Sequence, residues 1–394
     1  MSEFLKRTWA EIDLDAIEKN YRAIRGSLAD GSRLMAVVKA DAYGHGAACV
    51  ARTLQAAGAD WFGVSNLQEA IQLREEGITR PILILSYTPP EEAARLSRYN
   101  ITQTVISREY AHRLNDEAAA AGVTLPVHIK LDTGMSRVGF FYHHEQADAA
   151  VLEELTQVCR LPHLTAEGIF THFASADEED DGGFTQHQFD LFCHAVERLA
   201  QAGITFKLKH CCNSAATLRF PQMHLDMVRP GIILYGLAPA PWMRTLLPLL
   251  PAMSLKTVAS LVKEIPTDTC VSYGRTFITK RVTTVATVPI GYADGYPRSL
   301  SGTARMLVNG QFVPLVGRVC MDQCLLDVTD VPAVCEGMTV TVFGGDGNEQ
   351  LPVEELATLS GSINYEVVCL IGKRVPRIFY RDGSMIGKQD YFSE

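Results

Sequence analysis

Through roughly the first 240 residues, eight short apolar, β-branched runs alternate with stretches whose apolar residues recur every three or four positions. The runs are LMAVV (34–38), WFGVS (61–65), PILILS (81–86), QTVIS (103–107), VHIKL (127–131), AEGIFTHF (166–173), KLKH (207–210) and MVRPGIILYG (227–236). Between them lie helical patterns such as AACVARTLQAAG (47–58), LQEAIQLREEG (67–77), REYAHRLNDEAAAAG (108–122) and FTQHQFDLFCHAVERLAQAG (184–203). A glycine often closes the pattern, as a helix stop does. Strand–helix repetition implies a parallel sheet. Eight such units suit a (β/α)8 barrel; the pattern leaves a doubly wound open sheet as the alternative.

The texture changes in APAPWMRTLLPLLPA (238–252), which is rich in proline. Beyond it come short alternating runs, including RVTTVATVPIGY, ARMLVNGQFVPLVGRVC and MTVTVFGG, with NG (309–310) and GDG (345–347) as turn signals. Helical pattern is scarce there, apart from VEELATLSGS (353–362). An α/β barrel domain is therefore expected over 1–245 and a mostly β domain over 246–394. TWAEIDLDAI (8–17) contains a strand outside the eight, and residues about 8–14 are a candidate addition to the β domain.

The formal charge is −9 and no basic tract stands out, which argues against nucleic acid as a partner. MSEFLKRTWAEID carries charges where a signal peptide needs an apolar stretch. No apolar run approaches the ~18 residues of a membrane span. The ten cysteines are scattered and form no CxxC pair, so they read as reduced thiols of a cytoplasmic protein. No metal site is expected. HFASADEEDDGG (172–183) and GGDGNE (344–349) read as solvated loops, their carboxylates lacking a liganding arrangement. Nucleotide-binding glycine motifs are absent.

In a barrel, chemistry sits where strands end. Lys39 directly follows LMAVV. Poor solvation there favours the neutral amine, which condenses with aldehydes; a structural lysine paired with Asp41 is the alternative. Other strand ends carry Lys130 with Asp132 and Arg137, His172, His210 with Asn213 and Ser214, and Arg229 with Gly231. HCCNSAA (210–216) is a strand-to-helix turn suited to an anion, or an ordinary helix cap.

Taken together, these segments resemble the alanine racemase family nearly end to end. The matching blocks, in the family's order, are AVVKADAYGHG (36–46), KLDTGMSRVGF (130–140), THFASAD (171–177), HCCNSAA (210–216), MVRPGIILYGL (227–237), VSYGRTF (271–277), PIGYADGY (289–296), VGRVCMDQ (316–323), INYEV (363–367) and KRVPRI (373–378). The resemblance implies a (β/α)8 barrel followed by a β domain, pyridoxal 5′-phosphate (PLP) as cofactor, and a homodimer with shared active sites. Lys39 matches the Schiff-base lysine and one catalytic base, and Tyr273 the second base, supplied by the partner subunit. Arg229 matches the residue facing the pyridine nitrogen, with His210 behind it and His172 in the network supporting the tyrosine. Tyr43, Ser214, Gly231, Ile232 and Tyr365 match the phosphate pocket, and Asn213 lies in the same motif. Arg137 and Met321 match contacts to the substrate carboxylate, Arg137 also to the cofactor. Lys130 matches a lysine that is often carbamylated, a salt bridge to Asp132 being the alternative. Tyr292 and Asp322 lie in blocks lining the approach. Tyr365 favours alanine, because serine-preferring relatives carry a smaller residue there. D-Alanine for peptidoglycan is the family's usual product.

Overall fold

Each of the eight apolar runs becomes a parallel strand: Arg33–Val37 (β1), Trp61–Val64 (β2), Ile82–Ile84 (β3), Thr102–Val105 (β4), Leu125–Asp132 (β5), Leu164–Phe170 (β6), Leu208–His210 (β7) and Met227–Val228 (β8). The computed structural model describes residues 4–144 and 149–392. Strands β1 to β7 pair in sequence order and β8 pairs back on β1. Two isolated backbone bonds join β7 to β8: Asp226 N–H to the Lys209 carbonyl at 3.1 Å and Arg229 N–H to the Cys212 carbonyl at 2.9 Å. The sheet is thus a nearly closed barrel, which excludes the doubly wound alternative.

Met35, Trp61, Leu83, Phe170, Leu208 and Met227, one from each of six strands, form a buried cluster. Each such burial contributes about 1.5–3 kcal/mol. β4 and β5 add buried polar residues: Gln103, Thr104 and His128. The helices begin as their sequences suggest. Asn66 caps Leu67–Glu75 and Ser107 caps Arg108–Ala120, each side chain accepting a backbone N–H of the first turn.

One expectation needs correction. The run 227–236 reads as a single strand, yet β8 ends at Val228. Pro230 cannot donate to a ladder, Gly231 turns the chain with φ −120° and ψ −92°, and Ile232–Tyr235 winds into a 3₁₀ turn.

The chain divides into two units. One comprises Ile17–Ala42 and Ala47–Leu250 and holds the barrel; the other comprises residues up to Ala16, Tyr43–Gly46 and those from Pro251 onward. The second unit is built on a mostly antiparallel sheet in which Thr8–Asp13 lies between Met253–Val258 and Arg377–Arg381, parallel to the latter. Asn309 (φ 51°) and Gly310 (φ 69°) make the two-residue hairpin turn between Arg305–Val308 and Gln311–Val316. Val353–Ser360 is helical, and so is Asn364–Leu370, which the sequence reading did not anticipate. That helix is only 7 residues long and lacks a side-chain cap. No described helix is long and apolar enough to cross a membrane.

Arg377, 2% exposed, organises the second unit. Its guanidinium donates to the carbonyls of Gly44 (2.8 Å), Ile371 (2.6 Å), Gly372 (2.7 Å) and Val375 (2.5 Å). Each buried carbonyl left without a donor costs about 1–3 kcal/mol. Arg377→Met should therefore destabilise the protein by more than about 4 kcal/mol, read as a fall in the denaturant midpoint. A loss below about 1 kcal/mol would contradict this role.

Candidate active site

The C-terminal ends of the barrel strands gather cations. Lys39, half-buried, follows β1 and opens a turn of unusual hand: Ala40, Asp41, Ala42 and Tyr43 have φ of 51°, 54°, 54° and 52°. Left-handed backbone costs roughly 1–2 kcal/mol per ordinary residue. Hydrogen bonds offset this strain: Ala40 N–H donates to Glu69 Oε1 (2.8 Å), Ala42 N–H to the Val38 carbonyl (2.9 Å), and Asp41 Oδ1 accepts from Ala47 N–H (2.7 Å).

Arg229, 4% exposed, follows β8. Its Nη1 bonds His210 Nδ1 at 2.9 Å. Its Nη2 donates to the carbonyls of Thr171 (2.8 Å) and Cys211 (3.0 Å), and faces His172 Nδ1 at 3.4 Å. The guanidinium thus ties the ends of β6 and β7 together, and burial pushes its pKa down to about 10. Burial, then the charges of Arg229, Lys130, Arg137 and Lys39, hold the His172 imidazole well below its ordinary range. These four charges are all positive. Arg137 is exposed on the loop after β5.

Lys130, 3% exposed, donates from Nζ to its neighbour's carbonyl, Leu131 O, at 2.7 Å. Asp132 is instead engaged by the N–H groups of Gly134 (3.1 Å) and Ser136 (3.0 Å) and lies 3.4 Å from His143 Nε2. Burial, with repulsion from Arg229 and Arg137, lowers the Lys130 pKa to about 7. Its unfolded value is about 10.4. The sign follows: below pH 7 the folded state buries a charge at a cost, and the cost fades as pH rises toward the unfolded pKa. In carbon dioxide-free buffer, Lys130→Met should raise the thermal midpoint more at about pH 6 than at about pH 10. A pH-independent difference would contradict this.

Ser214, Gly231 and Ile232 come together. Gly231 N–H donates to Ser214 Oγ at 2.8 Å, beside the starts of the short helix Ser214–Arg219 and of the Ile232 turn. Asn213 caps that helix, its side chain accepting from Ala216 N–H at 3.0 Å. Hydroxyl and first-turn N–H donors are the chemistry of an oxyanion site.

The remaining candidates belong to the second unit. The Tyr43 and Tyr365 rings lie 6.2 Å apart. Tyr273 is 72% exposed on a turn where Ser272 (φ 63°), Gly274 (φ 73°) and Arg275 (φ 52°) are all left-handed. Ser272 Oγ donates to the Arg318 carbonyl at 2.7 Å, and a Cβ on Gly317 would fall 2.7 Å from Ser272 Cβ. Tyr292 N–H donates to the Cys320 carbonyl at 3.1 Å, and Ala293 N–H to that of Met321 at 3.0 Å. Tyr273, Tyr292, Met321 and Asp322 therefore stand on three interlocked loops, all exposed. Arg374 Nη2 pairs with Asp322 Oδ1 at 2.8 Å. Gly317 was not singled out from sequence, though a glycine at a strand end, where the chain needs a positive φ (73° here), is a usable signal.

A strand-end site of buried and half-buried cations, with a lysine at its edge and oxyanion donors beside it, places the chain among the barrel proteins whose chemistry sits at the strand ends. Comparison with known proteins narrows this. The alanine racemase N-terminal domain matches residues 12–239 and the C-terminal domain residues 252–379. An alanine racemase of Desulfovibrio desulfuricans is 46% identical over 379 residues, 96% of this chain and 100% of that one. The alanine racemase structure from Clostridium difficile 630 superposes with TM-score 0.93 at 38% identity, covering 99% of this chain and 100% of that chain. A structure of the same enzyme in complex with cycloserine gives 0.91 at 36% identity, with coverage of 99% and 100%. The chain belongs to the alanine racemase family and is an enzyme, an isomerase acting on amino acids.

Proposed function

We propose that the chain interconverts L- and D-alanine with PLP as cofactor, by two bases, Lys39 and Tyr273 of the partner subunit, and that its D-alanine serves peptidoglycan. The observation that carries the cofactor reading is the set of positive charges around His172, Arg229 among them nearly fully buried. Such a site is costly unless an anion completes it. The barrel residues fit a phosphorylated pyridine: Ser214, Gly231 and Ile232 for the phosphate, Arg229 for the ring nitrogen, and Arg137 for the phenol oxygen and the substrate carboxylate; the family resemblance adds Tyr43 and Tyr365 to the phosphate contacts and Met321 N–H of the partner subunit as the other carboxylate contact. PLP, when bound, supplies the electron sink that makes the substrate α-carbon acidic.

The chain's own residues supply the rest. Lys39 Nζ anchors the cofactor and, when free, takes the α-proton of D-alanine. Tyr273 Oη takes the α-proton of L-alanine from the opposite face, so each base works in both directions. Tyrosine has an ordinary pKa of about 10, so its phenolate needs donors. Because the Arg229 N–H faces His172 Nδ1, the ring proton of neutral His172 sits on Nε2, where it can serve as that donor. Arg229 stays charged and opposes protonation of the pyridine nitrogen, which limits side reactions. Lys130, its pKa lowered to about 7, is in part a neutral amine that can add carbon dioxide: an N–C bond forms as one C=O π bond opens, a proton leaves, and the resulting carbamate anion would hold Arg137. Tyr292 and Asp322 line the approach.

The exposure of Tyr273 and Met321, 72% and 53%, on interlocked loops supports a homodimer in which each chain completes the other's site. A serine-preferring racemase is the second reading; Tyr365 counts against it. The deciding experiment is a racemisation assay over alanine, serine and lysine with PLP present. Alanine should be fastest. Inactive Lys39→Ala and Tyr273→Phe chains should regain activity when mixed and allowed to exchange. No rescue despite proven exchange would contradict the shared site.

A further inference from the structure

The barrel interior holds an imidazole that the proposed reaction leaves unused. His128, on β5, is fully buried, and its Nδ1 lies 2.9 Å from His210 Nε2. His210 Nδ1 lies 2.9 Å from Arg229 Nη1. A guanidinium only donates. His210 Nδ1 must therefore accept, its proton sits on Nε2, and that proton points to His128 Nδ1. By the same logic His128 carries its proton on Nε2, a buried atom with no hydrogen-bond partner, 3.8 Å from Glu167 Oε1. Every proton in the chain from Arg229 inward is thereby assigned. Were His210 to carry its proton on Nδ1 instead, that N–H would meet an arginine N–H.

The surroundings are shaped for this pair. A Cβ on Gly168 would lie 2.6 Å from three atoms of the His128 ring, so only glycine leaves room for it. The pairing of β5 with β6 slips between Val127 and His128. Phe170 stacks on His210 at 4.9 Å and 4°, and Trp61 packs on His128 at 5.3 Å. Burial beside Arg229 keeps both imidazoles neutral: His128 is lowered to about 3 and His210 well below its ordinary value.

We infer that His128 is a positioning residue for Arg229: it accepts the Nε2 proton of His210 and so fixes the one tautomer whose Nδ1 can hold the guanidinium. The inference rests on the role proposed for Arg229 in the reaction. Without the acceptor, the tautomer that receives the Arg229 N–H leaves its own Nε2–H buried and unpaired, so the grip on the guanidinium weakens.

The test uses PLP-reconstituted protein labelled with ¹⁵N-histidine. Long-range proton–nitrogen spectra should find His210 and His128 neutral and Nε2-protonated between about pH 6 and 9. His128→Leu should alter the His210 ring signals and lower kcat about 10- to 100-fold. His128→Asn places an amide oxygen near the former Nδ1 and should restore the His210 signals and most of the rate, whereas His128→Gln, which reaches toward the former Nε2 instead, should not. Gly168→Ala should reproduce part of the loss with every histidine in place. Should the leucine variant not fold, the Asn–Gln contrast decides. An Nδ1-protonated His210 in the parent protein, or equal losses in the Asn and Gln variants, would overturn the proposal. A parent protein that gives the expected ring signals but does not racemise alanine would instead refute the functional reading alone.

Discussion

Lys39→Ala should fold, fail to retain PLP covalently, and racemise alanine on the order of 10⁴-fold more slowly or worse. The loss is large because one amine does two jobs, anchoring the cofactor and serving as one of two bases. The side chain is half-buried and the turn behind it is held by backbone and carboxylate bonds at Ala40, Asp41 and Ala42. Removing the amine should therefore leave the thermal midpoint of the PLP-free protein nearly unchanged. Visible absorbance after dialysis, together with chiral product analysis, checks both parts. A variant that keeps bound PLP through dialysis and racemises at more than about a tenth of the parent rate would remove Lys39 from the mechanism.

Tyr273→Phe should separate the two directions. The change deletes one oxygen from a ring that is 72% exposed, so its cost in stability should lie within about 0.5 kcal/mol. Removal of the α-proton from L-alanine should fall about 10²- to 10⁴-fold, while removal from D-alanine, carried out by Lys39, falls far less. Exchange of the α-proton with solvent deuterium, started from each enantiomer, measures this. Equal losses would contradict the division of labour.

The barrel was legible because most strands are buried apolar runs between helical periods, and parallel strands need little more than that; Thr102–Val105 and Leu208–His210 are the more polar exceptions. Legibility failed where local conformation is decided by neighbours. Nothing in Ala40–Tyr43 announces four consecutive left-handed residues, since no glycine occurs before Gly44. The Asn364–Leu370 helix lacks a side-chain cap, and MVRPGIILYG is apolar enough to disguise the turn at Pro230 and Gly231. Among the site candidates, strand-end position led to Lys39, Lys130, His172, His210 and Arg229, and the structure gathers Lys39, Lys130, Arg137 and Arg229 about His172. His128 escaped notice although it shares a strand face with Lys130, two residues on. A polar residue at that spacing points into the barrel, and its partner His210 is 82 positions away. Tyr273 had no local signature beyond its block. The turn before it packs closely on Gly317, which sequence spacing does not reveal.

Two-base racemisation of alanine with PLP is decided by the reaction of the purified, PLP-loaded protein in deuterium oxide with each alanine enantiomer in turn. Conversion should run in both directions, with deuterium at the α-carbon of nearly all inverted product at early times. No conversion by protein carrying PLP would contradict it, and so would inverted product that retains the original α-proton throughout, because a single base would then suffice.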